Sequence, residues 1–483
     1  MTENGSDQRS VAVVGGGVSG LCAAFLLKNA GFKVTVLEGS PRLGGKLAVS
    51  EVGGVAVDSG AEALLARRPE GTGLIDALGL SGQLEVPGTT SAGIWTRGSI
   101  RPLPRRQFMG VPADIGELGR TGILSEAGLA RAAQEASLPG GEPVADTSVT
   151  SMVGGRFGAE LVDRLVEPLL GGVYAGRCED LSFTATLPAL AAAARGHSSL
   201  TDAAASLIPA PAFSGSGAEP DRPAQPPRPV FTTLTGGLGT LPEALAKASG
   251  ADLRTSAMVR RLSRTQAGWR LTVGSAHAPE ALDADAVILA VPAIPASRLL
   301  AGVADPAAAA LGEIRYASMA IVTLAYPVTA FPEAVTGSGF LVPAVDGRTI
   351  KAVTFSTVKW PHLRASQPEL HIVRCSVGRL GEDSVLQRDD AELAALAAAD
   401  LGDATGVRGR PSDVRVSRWG GGLPQYSVGH LDRVARIRAG IAAQPGLAVC
   451  GAAYDGVGIP ACIGTARLAV EQVLAHFASQ DKL

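Results

Sequence analysis

At 483 residues, 46% of them hydrophobic, the chain is too long for a single core and too apolar to be disordered, so two or three structural units are expected. A net charge of −2 with no basic block argues against a nucleic-acid partner. Five cysteines without a C-x-x-C pair and six unclustered histidines read as reduced, mostly buried thiols and no metal site.

The first ten residues are polar and carry no signal pattern, and no run of ~18 uninterrupted apolar residues follows. A cytoplasmic protein is expected, with peripheral membrane contact left open. Residues 11–14 are an apolar run. Gly15, Gly16, Gly17, Val18, Ser19 and Gly20 then fit G-x-G-x-x-G. Residues 21–30 read as a helix ending at Gly31, and residues 33–37 as a second strand ending at Glu38. Strand, glycine turn, helix, strand and acid make a dinucleotide-binding βαβ unit; the alternative is a glycine-rich turn in an ordinary βαβ unit. Gly15 allows the tight turn, Gly17 lets backbone approach a pyrophosphate, and Gly20 lets helix and strand pack closely. The helix N-terminus offers N–H groups to phosphates. Glu38 is placed to accept from ribose hydroxyls.

An Arg-x-Gly-Gly pattern follows at Arg42, Gly44 and Gly45, with Lys46 next. Glycines again permit close approach, and Arg42 and Lys46 can supply positive charge; a surface turn with solvated cations is the other reading. This motif resembles that of FAD-dependent amine oxidases, phytoene desaturases and protoporphyrinogen-type oxidases, and shifts the cofactor from NAD toward FAD. Residues 49–57 alternate as a hairpin around Gly53-Gly54 and lead into Gly60, Ala61, Glu62 and Ala63. In the resembling flavoenzymes that loop runs close to the flavin ring. It makes Glu62 and the pair Arg67-Arg68 candidates for the active-site side, although for each arginine a solvated side chain is the favoured reading.

Residues 74–80 read as a short helix and 94–100 as a second hairpin. From about 110 to 205 the pattern turns helical, with 148–170 its most regular part. Residues 209–229, rich in Pro, Gly and Ser, read as a linker. Gly236, Gly237 and Gly239 precede a helix at 241–248. Strands are expected at 257–259, 269–273 and 286–290, then at 319–326, 339–342, 351–356, 371–377 and 414–419, with a helix at 390–401. The tail reads as a strand at 447–451, a glycine turn through Val457, Gly458 and Ile459, and a helix at 462–477. That helix N-terminus can direct partial positive charge at a flavin.

Four stretches carry a more specific resemblance: residues 167–176 (EPLLGGVYAG), residues 355–361 (FSTVKWP), Trp419 with Pro424-Gln425-Tyr426, and residues 454–460 (YDGVGIP). On these the chain resembles the FAD-dependent protoporphyrinogen/coproporphyrinogen oxidases of heme biosynthesis, a branch of the amine-oxidase superfamily. The resemblance implies cofactor contacts at Gly15–Gly20, Glu38, Gly39, Lys46, Gly60–Ala63, Val259, Trp419 and Val457–Ile459. It places Gly172 and Tyr174 over a tetrapyrrole, with Lys351, Arg67 and Arg68 as candidate partners for its carboxylates. Position 461 departs from the pattern, with Ala where a polar residue is expected.

The implied fold is α/β: a two-domain FAD-binding Rossmann-type fold with an inserted β-sheet substrate domain and a helical subdomain. The expected division is 1–95, 230–300 and 440–483 for the FAD-binding part, 96–208 for the helical substrate-covering part with possible membrane contact, and 301–439 for the β-rich part. The implied reaction is oxidation of a porphyrinogen by dioxygen. Flavin N5 would take hydride from a methylene bridge while a pyrrole N–H gives up a proton, three times over, so no protein catalytic residue is expected. Coproporphyrinogen III is the favoured substrate, protoporphyrinogen IX the alternative, and downstream heme-pathway enzymes are the implied partners. An amine oxidase, a carotenoid desaturase and a non-catalytic FAD-binding protein are the competing readings.

Overall fold

The computed structural model describes residues 8–140, 146–208 and 229–481. One half is a five-stranded parallel sheet in the order Asp252–Arg254, Lys33–Leu37, Ser10–Val14, Ala286–Leu289, Leu447–Val449. Strands of this kind are apolar on both faces because helices cover both. Val11, Val13, Ile288 and Ala448 pack under the helices Val18–Asn29, Leu241–Ser249 and Ile459–Gln480. Ala12, Val14, Val287 and Leu289 face the other way, onto Trp269 and the helices Ala293–Leu300 and Asp305–Gly312. A three-stranded antiparallel meander, Val259–Arg264, Trp269–Gly274 and Pro279–Ala284, leads back into the parallel sheet at Ala286–Leu289, beside the central strand.

The second half is built on a seven-stranded sheet. Its order is Asp413–Pro424, Tyr316–Pro327, Leu370–Val377, Ile350–Phe355, Gly339–Leu341, Gly93–Thr96, Ser99–Pro102. The hairpin at 93–102 joins this sheet, so the expected division at residue 95 falls inside a strand pair. Period-2 alternation sorts its faces. Val322, Leu324, Val353, Phe355, Val373 and Cys375 pack against the helix Asp390–Thr405. Asp389 caps that helix by accepting the Glu392 N–H at 2.7 Å, and Gly406 ends it in the left-handed conformation. On the opposite face Met319, Leu341, Ala352, Thr354 and Ser376 stay half-exposed.

Residues 148–170 do not form the regular helix that their composition predicts. Gly158, at φ +93°, breaks the run, and π-helical turns at Thr150–Gly154 and Val162–Val166 flank short α-helical pieces before Glu167–Tyr174. The apolar period persists because Phe157, Leu161, Val162, Leu165, Val166 and Leu170 all reach one core. The helix expected at 74–80 runs Pro69–Ala77, since Pro69 suits the first helical turn and Gly79 ends the run. All five cysteines are free and buried. Among the described residues no helix is long and apolar enough to cross a membrane. The 209–229 stretch lies, except for its last residue, outside the described residues.

One buried carboxyl ties the hairpin at 49–58 to the glycine turn at 236–239. Asp58 accepts the N–H groups of Leu238 and Gly239 at 3.0 and 2.8 Å. Burial, the largest influence, still pushes its pKa up to about 6 from 3.8. A carboxyl whose pKa is raised by folding stabilises fully below its unfolded value, and that contribution is lost as pH rises through about 6. Asp58→Asn is therefore expected to flatten the pH dependence of urea unfolding between about pH 4 and 7.

Candidate functional site

The C-terminal ends of the parallel strands converge on one edge, where the glycine turns gather. Gly15 leaves the first strand at φ +111° and donates its N–H to Leu37 O at 2.8 Å. A Cβ there would strike Ala290 O at 2.6 Å. A Cβ on Gly20 would overlap the Gly15 carbonyl oxygen, so this glycine is what lets the helix Val18–Asn29 lie on the strand. Gly17 differs: a Cβ on it meets nothing within 4 Å. The protein does not need a glycine there, and a ligand approaching the backbone would. No side chain caps the helix, whose first-turn N–H groups face that space. The Glu38 carboxylate accepts from Gly16 N–H at 2.7 Å and Ser40 N–H at 2.8 Å, which fixes its orientation and leaves lone pairs for ribose hydroxyls.

The second glycine turn packs directly on the first. Gly44 N–H donates to Gly16 O at 2.8 Å, and a Cβ on Gly45 would sit 3.3 Å from Gly17 Cα. Arg42 turns back on its own loop, donating to Gly45 O at 2.6 Å and Leu43 O at 3.2 Å. Its guanidinium braces the turn and lies 5.8 Å from the Trp419 ring. Lys46 is half-buried, and burial pushes its ammonium below the usual lysine range, opposed by nearby Cys462. Cys462 lies in the first turn of the helix Ile459–Gln480, its thiol directed at Val457 O at 4.0 Å and near Ser19 in the first turn of Val18–Asn29. Two uncapped helix N-termini and one lysine thus share a single region, an arrangement that fits an anionic dinucleotide.

The loop 58–63 forms the wall beside it. Ala61 N–H donates to Lys46 O at 3.2 Å, Trp419 Nε1–H donates to Ser59 O at 2.9 Å, and Gly60 leaves room for both neighbours. Glu62 points away, into an ion cluster. It accepts from Lys359 Nζ at 2.6 Å and from Arg374. Burial opposes its ionisation, but the two cations prevail and hold its pKa down to about 2. Gly39 and Val259 lie toward the far end, joined through Met258. Val259 is buried in the core, and its half-exposed neighbour Met258 lies over Gly39. In the C-terminal turn, Gly458 precedes the helix, Ile459 is buried and Val457 packs toward Tyr174. A Cβ on Gly456 would come 2.8 Å from Ala461 Cβ, so the small residue at 461 lets this turn close on the helix start.

The substrate-side candidates divide. Gly172 and Tyr174 lie on the helix Glu167–Tyr174, at the end of the half-exposed sheet face. A Cβ on Gly172 would meet only Leu341, at 3.8 Å. Tyr174 is buried against Tyr426, their ring centroids 5.4 Å apart. Lys351 is the bulged residue of Ile350–Phe355 and donates to Gly171 O at 3.3 Å. Burial, reinforced by Arg379, pushes its pKa down to about 7. Arg67 is exposed, and Arg68 pairs with Glu70 at 2.8 Å; neither is drawn toward Gly172 by any contact among the described residues. Sequence reading missed Arg374, which has no local motif, and Cys462, which only the meeting of two helix ends brings near Lys46. Lys359 sits inside the 355–361 stretch, and that stretch was its only signal.

The two glycines separate packing from binding. Gly17→Ala is expected to leave apo-protein stability within about 0.5 kcal/mol of wild type while weakening FAD binding, whereas Gly20→Ala is expected to destabilise the apo-protein itself. Urea unfolding and FAD titration of both variants check this.

Comparison with known proteins places this geometry in context. The model of the flavin containing amine oxidoreductases matches residues 18–474. A coproporphyrinogen III oxidase of Mycobacterium tuberculosis is 40% identical over 98% of this chain and 99% of its own. The protoporphyrinogen oxidase of Bos taurus is 31% identical over 96% and 98%. A crystal structure from Exiguobacterium, whose protoporphyrinogen oxidase assignment is itself provisional, superposes with a TM-score of 0.82 at 32% identity, covering 96% and 98% of the two chains. The chain belongs to the flavin-containing amine oxidoreductase family.

Proposed function

We propose that this protein oxidises coproporphyrinogen III to coproporphyrin III in heme biosynthesis, with dioxygen as acceptor and hydrogen peroxide as by-product. The observation that carries this reading is the full-length relationship to coproporphyrinogen III oxidases. FAD is the cofactor and, when bound, supplies the hydride acceptor. Three two-electron oxidations remove six hydrogens from the substrate and convert three dioxygen molecules to three of peroxide. Aromatisation makes the sequence downhill, so the chain has to bind and orient more than it has to activate.

In this reading the Gly15–Gly20 turn and the helix behind it hold the pyrophosphate, Glu38 holds the ribose, and Lys46 with the Val457–Ile459 turn holds the flavin end. The half-exposed sheet face with Met319, Leu341 and Thr354, and the helix bearing Gly172 and Tyr174, enclose the tetrapyrrole and exclude water. Lys351, which donates to Gly171 O of that helix at 3.3 Å, takes a substrate carboxylate. Coproporphyrinogen carries four carboxylates and protoporphyrinogen two, so the tetra-acid gains more from a cationic wall and, being the more water-soluble, suits a reaction in the cytoplasm.

The test is aerobic oxidation of both porphyrinogens side by side, followed by porphyrin fluorescence and peroxide. Faster turnover of the tetra-acid is the expected result; preference for the di-acid overturns the substrate, and no turnover of either by FAD-loaded protein overturns the reaction. Lys351→Met is expected to raise KM for coproporphyrinogen about tenfold, the scale of one charge-assisted hydrogen bond, with a smaller effect on protoporphyrinogen.

A further inference from the structure

The stretch 355–361 is among the most specific of the sequence, yet none of its side chains is needed to enclose a substrate. It folds as the end of a strand and a short helix, Ser356–Lys359, against the loop 58–62. Between them lies a cavity of about 10 Å³, the size of one water, lined by Asp58, Glu62, Thr233, Ser356, Trp360, His362 and Arg374 among others. Four of these residues carry buried polar atoms without a partner among the described residues: Trp360 Nε1, Arg374 Nε, Thr233 Oγ1 and Ser356 Oγ. The first two can only donate, and the two hydroxyls can accept. One water accepts two hydrogen bonds and donates two, so a single molecule has the donors and acceptors that these four atoms call for. An anion would face the Asp58 and Glu62 carboxylates, and a cation would face two N–H donors.

Both terminal nitrogens of Arg374 are already engaged: Nη1 pairs with Glu62, and Nη2–H donates to Gly60 O at 2.5 Å. Lys359 holds the second oxygen of Glu62 at 2.6 Å. Around the cavity, His362 pairs with Glu85 and fastens the following helix, Pro361–Ser366, to the opposite side. The loop held in this way is the wall that contacts Lys46 and Trp419 beside the paired helix N-termini.

We propose that the cavity holds one ordered water which, with Lys359 and Arg374, forms a clamp that positions the loop 58–62 for FAD. Arg374, Lys359 and Trp360 are then positioning residues, acting on the cofactor through Gly60 and Glu62. The proposal rests on FAD binding at this site and is independent of which porphyrinogen is oxidised.

The first test is a crystal structure of the FAD-loaded enzyme at a resolution that places ordered water. One peak within about 2.7–3.2 Å of both Trp360 Nε1 and Arg374 Nε is expected. No peak there, or an anomalous peak at that position after bromide soaking, overturns the water. The second test is FAD titration of Trp360→Phe, which keeps an aromatic ring and removes the N–H, alongside Lys359→Met and Lys359→Arg. Trp360→Phe is expected to weaken FAD binding about three- to tenfold, the scale of one lost hydrogen bond; Lys359→Met is expected to weaken it at least as much, and Lys359→Arg to restore it. Wild-type FAD affinity in both Trp360→Phe and Lys359→Met overturns the clamp.

Discussion

The close approach of the helix Val18–Asn29 to the strand Ser10–Val14 is the constraint on which the rest of the molecule depends. It requires a hydrogen at Gly20, because any side chain would enter the Gly15 carbonyl. Once that contact is made, the helix N-terminus is fixed at the edge of the parallel sheet, where adjacent strands turn to opposite sides. The helix Ile459–Gln480 packs beside it through residues such as Ala466, Ala469 and Val470. Two helix dipoles then point their positive ends at one region. Neither terminus has a capping side chain, so their donors are available to a bound anion.

The second sheet is joined to this edge by buried charge. Glu62 lies between Lys359 and Arg374, both well shielded from solvent. Desolvation of three charges is costly, and their mutual attraction offsets it only in good geometry. What such a cluster contributes is specificity of docking: removing one partner strands a buried charge, at a cost of about 3–5 kcal/mol, so the two sheets have one preferred relation. The same sheet keeps a packed face against the helix Asp390–Thr405 and a half-exposed face toward the glycine turns. A large, acidic macrocycle, such as the proposed substrate, suits that combination of rigid backing and open front.

The helical region shows how packing overrides local preference. Residues 148–170 have the apolar period of one helix, yet Gly158 and two π-helical turns interrupt it. Each interruption shifts the register of the next piece, which keeps the apolar side on the core while the chain curves around it. It also delivers Gly172 and Tyr174 to the end of the open sheet face. Ala175 then ends the helix in the left-handed conformation, at φ +51°, with its carbonyl accepting Leu380 N–H at 2.7 Å.

By itself the sequence determined the parts whose chemistry is local. Gly15 through Gly20 with Glu38, the Arg42–Lys46 turn, the period-2 strands and the C-terminal strand–turn–helix are each defined by residues within one or two turns of each other, so spacing alone reveals them. The family was legible for the same reason, in four short stretches. Tertiary structure alone decided what depends on distant pairs. Glu62 proved to be the anchor of an ion cluster because Lys359 and Arg374 lie about 300 positions further along the chain. Arg42 proved to brace its own turn, and Cys462 came to lie beside Lys46 and Ser19. A charged side chain has no periodicity to betray its partner, and the direction in which it points is set only when the sheets and helices have packed.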